Sequence, residues 1–237
     1  MSANNKSRAA RSLRLSCRLL NLEFKMTLGK SFVALALPVL AFSAQAAPVT
    51  LITGATQGFY NAGIGTVLDG TSIAFPTVTD PTQTFTVAPD LSAAAAQLGS
   101  WLTTPTSPGG SWSSSAVAIP STWAVNTETA IIYEIDAGAG GLTSLSAQFG
   151  VDNGIFVWLD GVFVGGQMRP GGATLGEFSF TLAALSSGLH YLQVLREDHG
   201  GATGYLVNVT AQTVPEPGSW ALVGFALLAA GLATRRR

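Results

Sequence analysis

Two short polar clusters carry most of the chemistry available to this 237-residue chain: Asp152-Asn153-Gly154 and Glu197-Asp198-His199-Gly200-Gly201. The carboxylates of Asp152, Glu197 and Asp198 and the amide oxygen of Asn153 are hard donors. They suit Ca2+, which gathers ~6–8 oxygens. His199, between an acid pair and two glycines, adds an imidazole in a loop. A second reading needs no ion: Asp152-Asn153 forms Asx turns and the glycines supply positive φ. Catalytic signatures are scarce. The only cysteine is Cys17, there are two histidines, and neither a Gly-x-Ser-x-Gly elbow nor His-Glu-x-x-His occurs. The expectation is therefore a non-catalytic protein. A carboxylate-pair glycosidase stays open as an alternative, because acids are numerous and sequence gives no separations.

Both clusters fall at strand ends. From Ala47 to Thr213 short runs rich in Val, Ile, Thr and aromatics alternate with Gly, Pro, Ser and Asp, which is a β pattern. Strands are expected at Val49–Thr53, Thr84–Val87, Ala116–Ile119, Ala130–Ile135, Ser144–Phe149, Ile155–Leu159, Val162–Val164, Glu177–Leu182, Gly188–Leu195 and Tyr205–Val209. One helix is expected over Leu91–Leu102, opened by Pro89-Asp90 and weakened at Gly99. Asp160-Gly161 between two apolar runs predicts a type I′ hairpin. The run Ile155–Leu159 is apolar at every position, so both its faces should be covered, as in the central strand of a two-sheet β-sandwich. Loops at the strand ends of such a sandwich collect into a binding edge.

Other residues take structural readings first. Arg196 next to Glu197 and Asp198 suggests an internal ion pair, and His190 within a strand suggests a packed ring. Trp101, Trp112 and Trp123 recur at 11-residue spacing; core packing is the expectation, with stacking on sugar rings as the alternative.

Charge is very uneven. Only Arg169 and Arg196 are basic between Ala47 and Val214, against 11 acids, a net of about −9, although the whole chain is −1. A surface this acidic repels phosphate backbones, so nucleic acid is excluded as a partner. Ten of the 12 basic residues lie at or before Lys30 or in Arg235-Arg236-Arg237.

The two ends read as targeting segments. Residues 1–46 form an N-terminal extension and signal peptide: Lys30, the apolar run Phe32–Phe42 and the small-x-small site Ala44-Gln45-Ala46. Residues 1–25 either extend the n-region or precede the true start at Met26, and Met26 is the favoured start. Cleavage there removes Cys17 and leaves an exported domain with no disulfide. Residues 214–237 run from Pro215-Glu216-Pro217 through the apolar stretch Trp220–Ala233 to the three terminal arginines. Stretch and cluster read as a short transmembrane helix with its end held on the cytoplasmic side.

This order of motif, apolar helix and Arg cluster resembles the PEP-CTERM sorting signal of Gram-negative bacteria. The resemblance implies processing by an exosortase at the membrane. It also implies a destination at the cell surface or in the extracellular matrix, where such substrates are linked to exopolysaccharide and biofilm.

The middle carries a second resemblance. Val157-Trp-Leu-Asp160-Gly161, followed by Leu185-Ser-Ser-Gly188-Leu-His190-Tyr-Leu192-Gln-Val194, is similar to the galactose-binding-like jelly rolls attached to many glycosidases and lectins. That implies a jelly-roll-like fold over residues 47–213 and a carbohydrate-binding role, with exopolysaccharide as candidate ligand. A secreted carbohydrate-active hydrolase and a purely structural matrix component are the alternatives.

Overall fold

Eleven strands in two antiparallel sheets make up the β-sandwich seen in a computed structural model, which describes residues 46–69, 81–214, 223–224, 226–228, 230–231 and 234. In chain order the strands are β1 (Pro48–Thr53), β2 (Gln57–Gly65), β3 (Gln83–Phe85), β4 (Val117–Ala118), β5 (Glu128–Asp136), β6 (Leu142–Val151), β7 (Gly154–Leu159), β8 (Val162–Met168), β9 (Phe178–Thr181), β10 (Leu189–Glu197) and β11 (Tyr205–Thr213). One sheet has the order β1-β11-β6-β9, the other β3-β8-β7-β10-β5-β2-β4. The signal segment, Pro215-Glu216-Pro217 and Arg235–Arg237 lie outside the described residues. Among the described residues no helix is long and apolar enough to cross a membrane, and most of the apolar stretch of the tag falls outside them.

The side-chain pattern follows from which faces are covered. In β11, Tyr205, Val207, Val209 and Ala211 are buried and the residues between them are not, so the four-stranded sheet keeps one face wet. In β7 all six residues are buried. Ile155, Val157 and Leu159 join the core between the sheets, with Ile131, Tyr133, Phe149, Phe178 and Val194. Phe156 and Trp158 point the other way, into a second core with Ile64, Leu68, Leu98 and Trp101. Leu68 and the stretch from Leu91 to Trp112 thus cap the outer face of the seven-stranded sheet. Trp101 is 3% exposed, lies edge-on to Trp158 at 5.2 Å and stacks on Trp112 at 5.8 Å.

The expected helix is shorter than Leu91–Leu102. A 3-10 turn (Ser92–Ala94) leads into α1 (Ala95–Leu98), and Gly99 at φ 58° ends it. Asp90 Oδ1 accepts from the Ser92 amide at 2.9 Å, an Asx turn that leads the chain into the 3-10 turn. Beyond Gly99 the chain turns so that Trp101 enters the second core, and that burial outweighs helix propensity. The strand β2 is missing from the sequence expectation: its three glycines and Asn61 give it a loop-like composition, yet it pairs with β5 and β4.

The hairpin forms as expected, with Asp160 and Gly161 both at positive φ (50° and 76°) and Leu159 opposite Val162. Asp160 also ties the turn to β10. Its Oδ1 accepts from the Tyr191 amide at 2.8 Å, and its Oδ2 lies 2.7 Å from His190 Nδ1. His190 Nε2 meets the Ser186 carbonyl at 3.0 Å. Desolvation lowers the His190 pKa, but the Asp160 and Ser186 contacts outweigh it and hold the group above 6.5. A raised folded pKa contributes stability that is complete below the unfolded value and is lost as pH rises through the folded one. The melting-temperature gap between wild type and His190→Gln should therefore widen by about 1–3 °C from pH 8 to pH 6, as for a partly exposed ion pair. Differential scanning calorimetry of both proteins checks this; a gap that is flat with pH would refute it.

Candidate functional site

Strand register assembles the site. Because Glu197 pairs with Gly154 and Arg196 with Thr129, the end of β10 brings together the turn before β7 and the start of β5. Successive side chains on a strand point to opposite faces, and β10 uses this to separate its charges. Leu192, Val194 and Arg196 face the other sheet, while Leu195 and Glu197 face the cap.

Arg196 is therefore not the ion-pair partner of Glu197. It is fully buried, its guanidinium 4.1 Å from the Trp123 ring centre and 4.4 Å from that of Tyr205. Its Nε donates to Thr129 Oγ1 at 2.8 Å and its Nη1 to the Pro120 carbonyl at 3.0 Å. Burial lowers its pKa. The Tyr205 hydroxyl lies 3.3 Å from that of Tyr133, and burial raises Tyr133 to about 12.

On the opposite face, Glu197 is fully buried and its Oε2 lies 3.1 Å from His199 Nδ1. The other ring nitrogen, Nε2, is 3.1 Å from Asp69 Oδ1. Asp69, just after β2, touches Glu128, the first residue of β5. Glu128 is 1% exposed, both its carboxylate oxygens are buried, and its carboxyl meets the Asp69 carboxyl and the Leu68 backbone. Burial first, then the Asp69 carboxyl, raise its pKa to about 9. Asp69, Glu128 and His199 each offer one ligand atom, and these atoms lie within 4.8 Å of one another.

The structure places the five sequence candidates at different distances from this cluster. Asn153 supports its rim: its Oδ1 accepts from the His199 amide at 3.0 Å, and its own amide donates to the Glu197 carbonyl at 2.8 Å. Asp198 Oδ2 accepts from the Asn126 amide at 2.8 Å, and the Asp152 amide donates to the Gly204 carbonyl at 3.1 Å. The Asn153 and Asp198 oxygens thus serve loop amides, and Asp152 and Asp198 stand outside the three-residue ligand set. Asp69 and Glu128 were not anticipated. Neither sits in a motif, and Asp69 reaches His199 across 130 positions of sequence, so no local spacing marks them.

Gly154 is part of the design. A Cβ built there would lie 2.5 Å from Glu197 Oε1 and 2.8 Å from its Cγ, so the buried carboxylate occupies the place of a side chain. Gly154→Ala should cost about 1–3 kcal/mol, as overpacking does, which urea denaturation measures. Unchanged stability would mean that Glu197 moves freely.

Residues 213–237 match the PEP-CTERM protein-sorting motif. A search of curated proteins gives no match at a significant level. Among solved structures, the chain is similar to a GH2 β-galacturonidase from Eisenbergiella tayi, in crystals bound to galacturonate and to glycerol. In both cases the TM-score is 0.32 and the identity 16%, over 72% of this chain and 25% of that one. The chain thus spans about a quarter of the length of those enzymes. A likeness of this size carries no conclusion about ligand or activity. The sorting motif implies export across the inner membrane, exosortase-dependent processing and association with the cell surface.

Proposed function

We propose that the chain is a non-catalytic surface or extracellular-matrix protein of a Gram-negative bacterium, whose sandwich contacts exopolysaccharide in biofilm. The sorting motif over residues 213–237 carries this reading. The fold agrees with it. Strand β11 ends at Thr213, and the Val214 amide donates to the Gly141 carbonyl at 3.2 Å. Processing beyond Pro-Glu-Pro therefore leaves all eleven strands of the described residues in place.

Contact with polysaccharide is supported by a shallow cavity of about 240 Å3 beside β2, lined by Phe59, Trp112, Thr106, Ser107 and Ser113. Aromatic faces offer sugar rings apolar contact without charge, and the hydroxyls offer hydrogen bonds. The Trp112 Nε1 is already committed to the Leu98 carbonyl at 2.9 Å, which fixes the ring for stacking.

Two measurements test the reading. Intact mass of the protein from native cells should show loss of the chain beyond Pro-Glu-Pro; a retained tail would leave a simple membrane anchor. A glycan array run beside a broad hydrolase screen should give binding without turnover. Turnover without array binding would favour the hydrolase, and silence in both a purely structural component.

A further inference from the structure

We propose that Asp69, Glu128 and His199 bind a divalent transition-metal ion of the zinc or manganese class, with Glu197 orienting the imidazole. The inference is independent of whether the sandwich contacts polysaccharide.

Three observations converge on it. First, Glu128 is almost fully buried, and its carboxyl is packed against that of Asp69, with one ligand atom from each and from His199 within 4.8 Å of one another. A carboxylate in such a place is costly unless it is protonated or meets a cation. Second, the spacing fits a shared ion. His199 Nε2 and Asp69 Oδ1 are 3.1 Å apart, close to the ~3–3.5 Å expected between ligands on metal bonds of ~2.0–2.2 Å. Third, His199 Nδ1 faces the buried Glu197 at 3.1 Å. A carboxylate behind a metal-bound imidazole fixes its tautomer and turns the other nitrogen toward the metal.

The donor set chooses the ion. One imidazole and two carboxylates suit Zn2+ or Mn2+, whereas Ca2+ prefers an all-oxygen shell of ~6–8 ligands. The Asn153 and Asp198 oxygens that would help fill such a shell already accept loop amides.

The ligands come from three segments: the turn four residues beyond β2, the start of β5 and the loop after β10. An ion here would staple the cap to the seven-stranded sheet. It would act as a cross-link in a domain whose chain has no cysteine after Cys17.

The test uses the untagged full chain, purified in mild detergent, stripped with EDTA and dialysed against Zn2+, Mn2+ or Ca2+. Bound metal is counted by mass spectrometry and melting is followed in parallel. The expected result is one Zn2+ or Mn2+ per chain and a melting temperature raised by about 5–10 °C at a hundredfold excess over Kd. Glu197→Gln should weaken binding about 10–100-fold. Asp69→Asn, at the partly exposed edge of the site, should abolish it while the apo protein keeps its β-type circular dichroism. No stoichiometric metal on the wild type would overturn the proposal. So would undiminished binding by both Asp69→Asn and Glu128→Gln, and Ca2+ bound as tightly as Zn2+ would overturn the ligand class.

Discussion

Arg196→Ala is expected to destabilise the protein by about 3–5 kcal/mol, in the range of large buried truncations. The guanidinium fills the end of the inter-sheet core between Trp123 and Tyr205, with Tyr60 5.6 Å away. Truncation removes a cation–π contact worth up to about 2 kcal/mol when desolvated. It also leaves a cavity and strips Thr129 Oγ1 and the Pro120 carbonyl of their donor. Replacing a buried charge by an apolar side chain of similar size is often tolerated, so Arg196→Met separates the two contributions. If packing dominates, Met restores most of the loss. If the cation and its two hydrogen bonds dominate, Met stays about 2 kcal/mol or more below wild type. The second outcome is expected here, because the aromatic faces and both acceptors are arranged around a planar donor. Arg196→Lys should also fail to rescue fully, since an ammonium cannot lie flat on two rings and fork to two acceptors. Urea unfolding of the three variants decides it, and a Met variant more stable than wild type would sink the argument.

Trp158→Ala is expected to cost about 3–5 kcal/mol and to lower the melting temperature by about 10–15 °C. Trp158 is 2% exposed and contacts Trp101 at 5.2 Å, Phe163 at 5.4 Å and Phe156 at 6.3 Å. It is the point where the cap rests on the seven-stranded sheet. Its loss should loosen the cap before the sandwich: amides of the segment around α1 and Trp101 should exchange faster with deuterium than those of β6 and β11. Val162, 70% exposed at the start of β8, is the control, and Val162→Ala should change stability by no more than about 0.5 kcal/mol. Uniformly faster exchange in Trp158→Ala would mean that cap and sandwich unfold as one unit.

What could be read in advance and what could not divide along a physical line. Local chemistry was legible. Asp160-Gly161 demanded positive φ angles and received them, and the apolar run of β7 foretold two covered faces. The sorting tag was legible for the same reason, since its message lies in contiguous residues matched over 213–237. By contrast, β2 was hidden because strand formation there depends on its partners β4 and β5 rather than on β-branched side chains. The cluster was half visible. Glu197 and His199 stood out as neighbours in sequence, but Asp69 and Glu128 join them only through folding. Arg196 was misread as a partner of Glu197 because adjacency in sequence suggests contact, whereas adjacency on a strand puts side chains on opposite faces. Sequence alone thus determined the export route, the β architecture and the acidic character of the domain, all set by local pattern and composition. Which charges meet, and around what, was decided by strand register, because register alone brings distant residues within ligand distance.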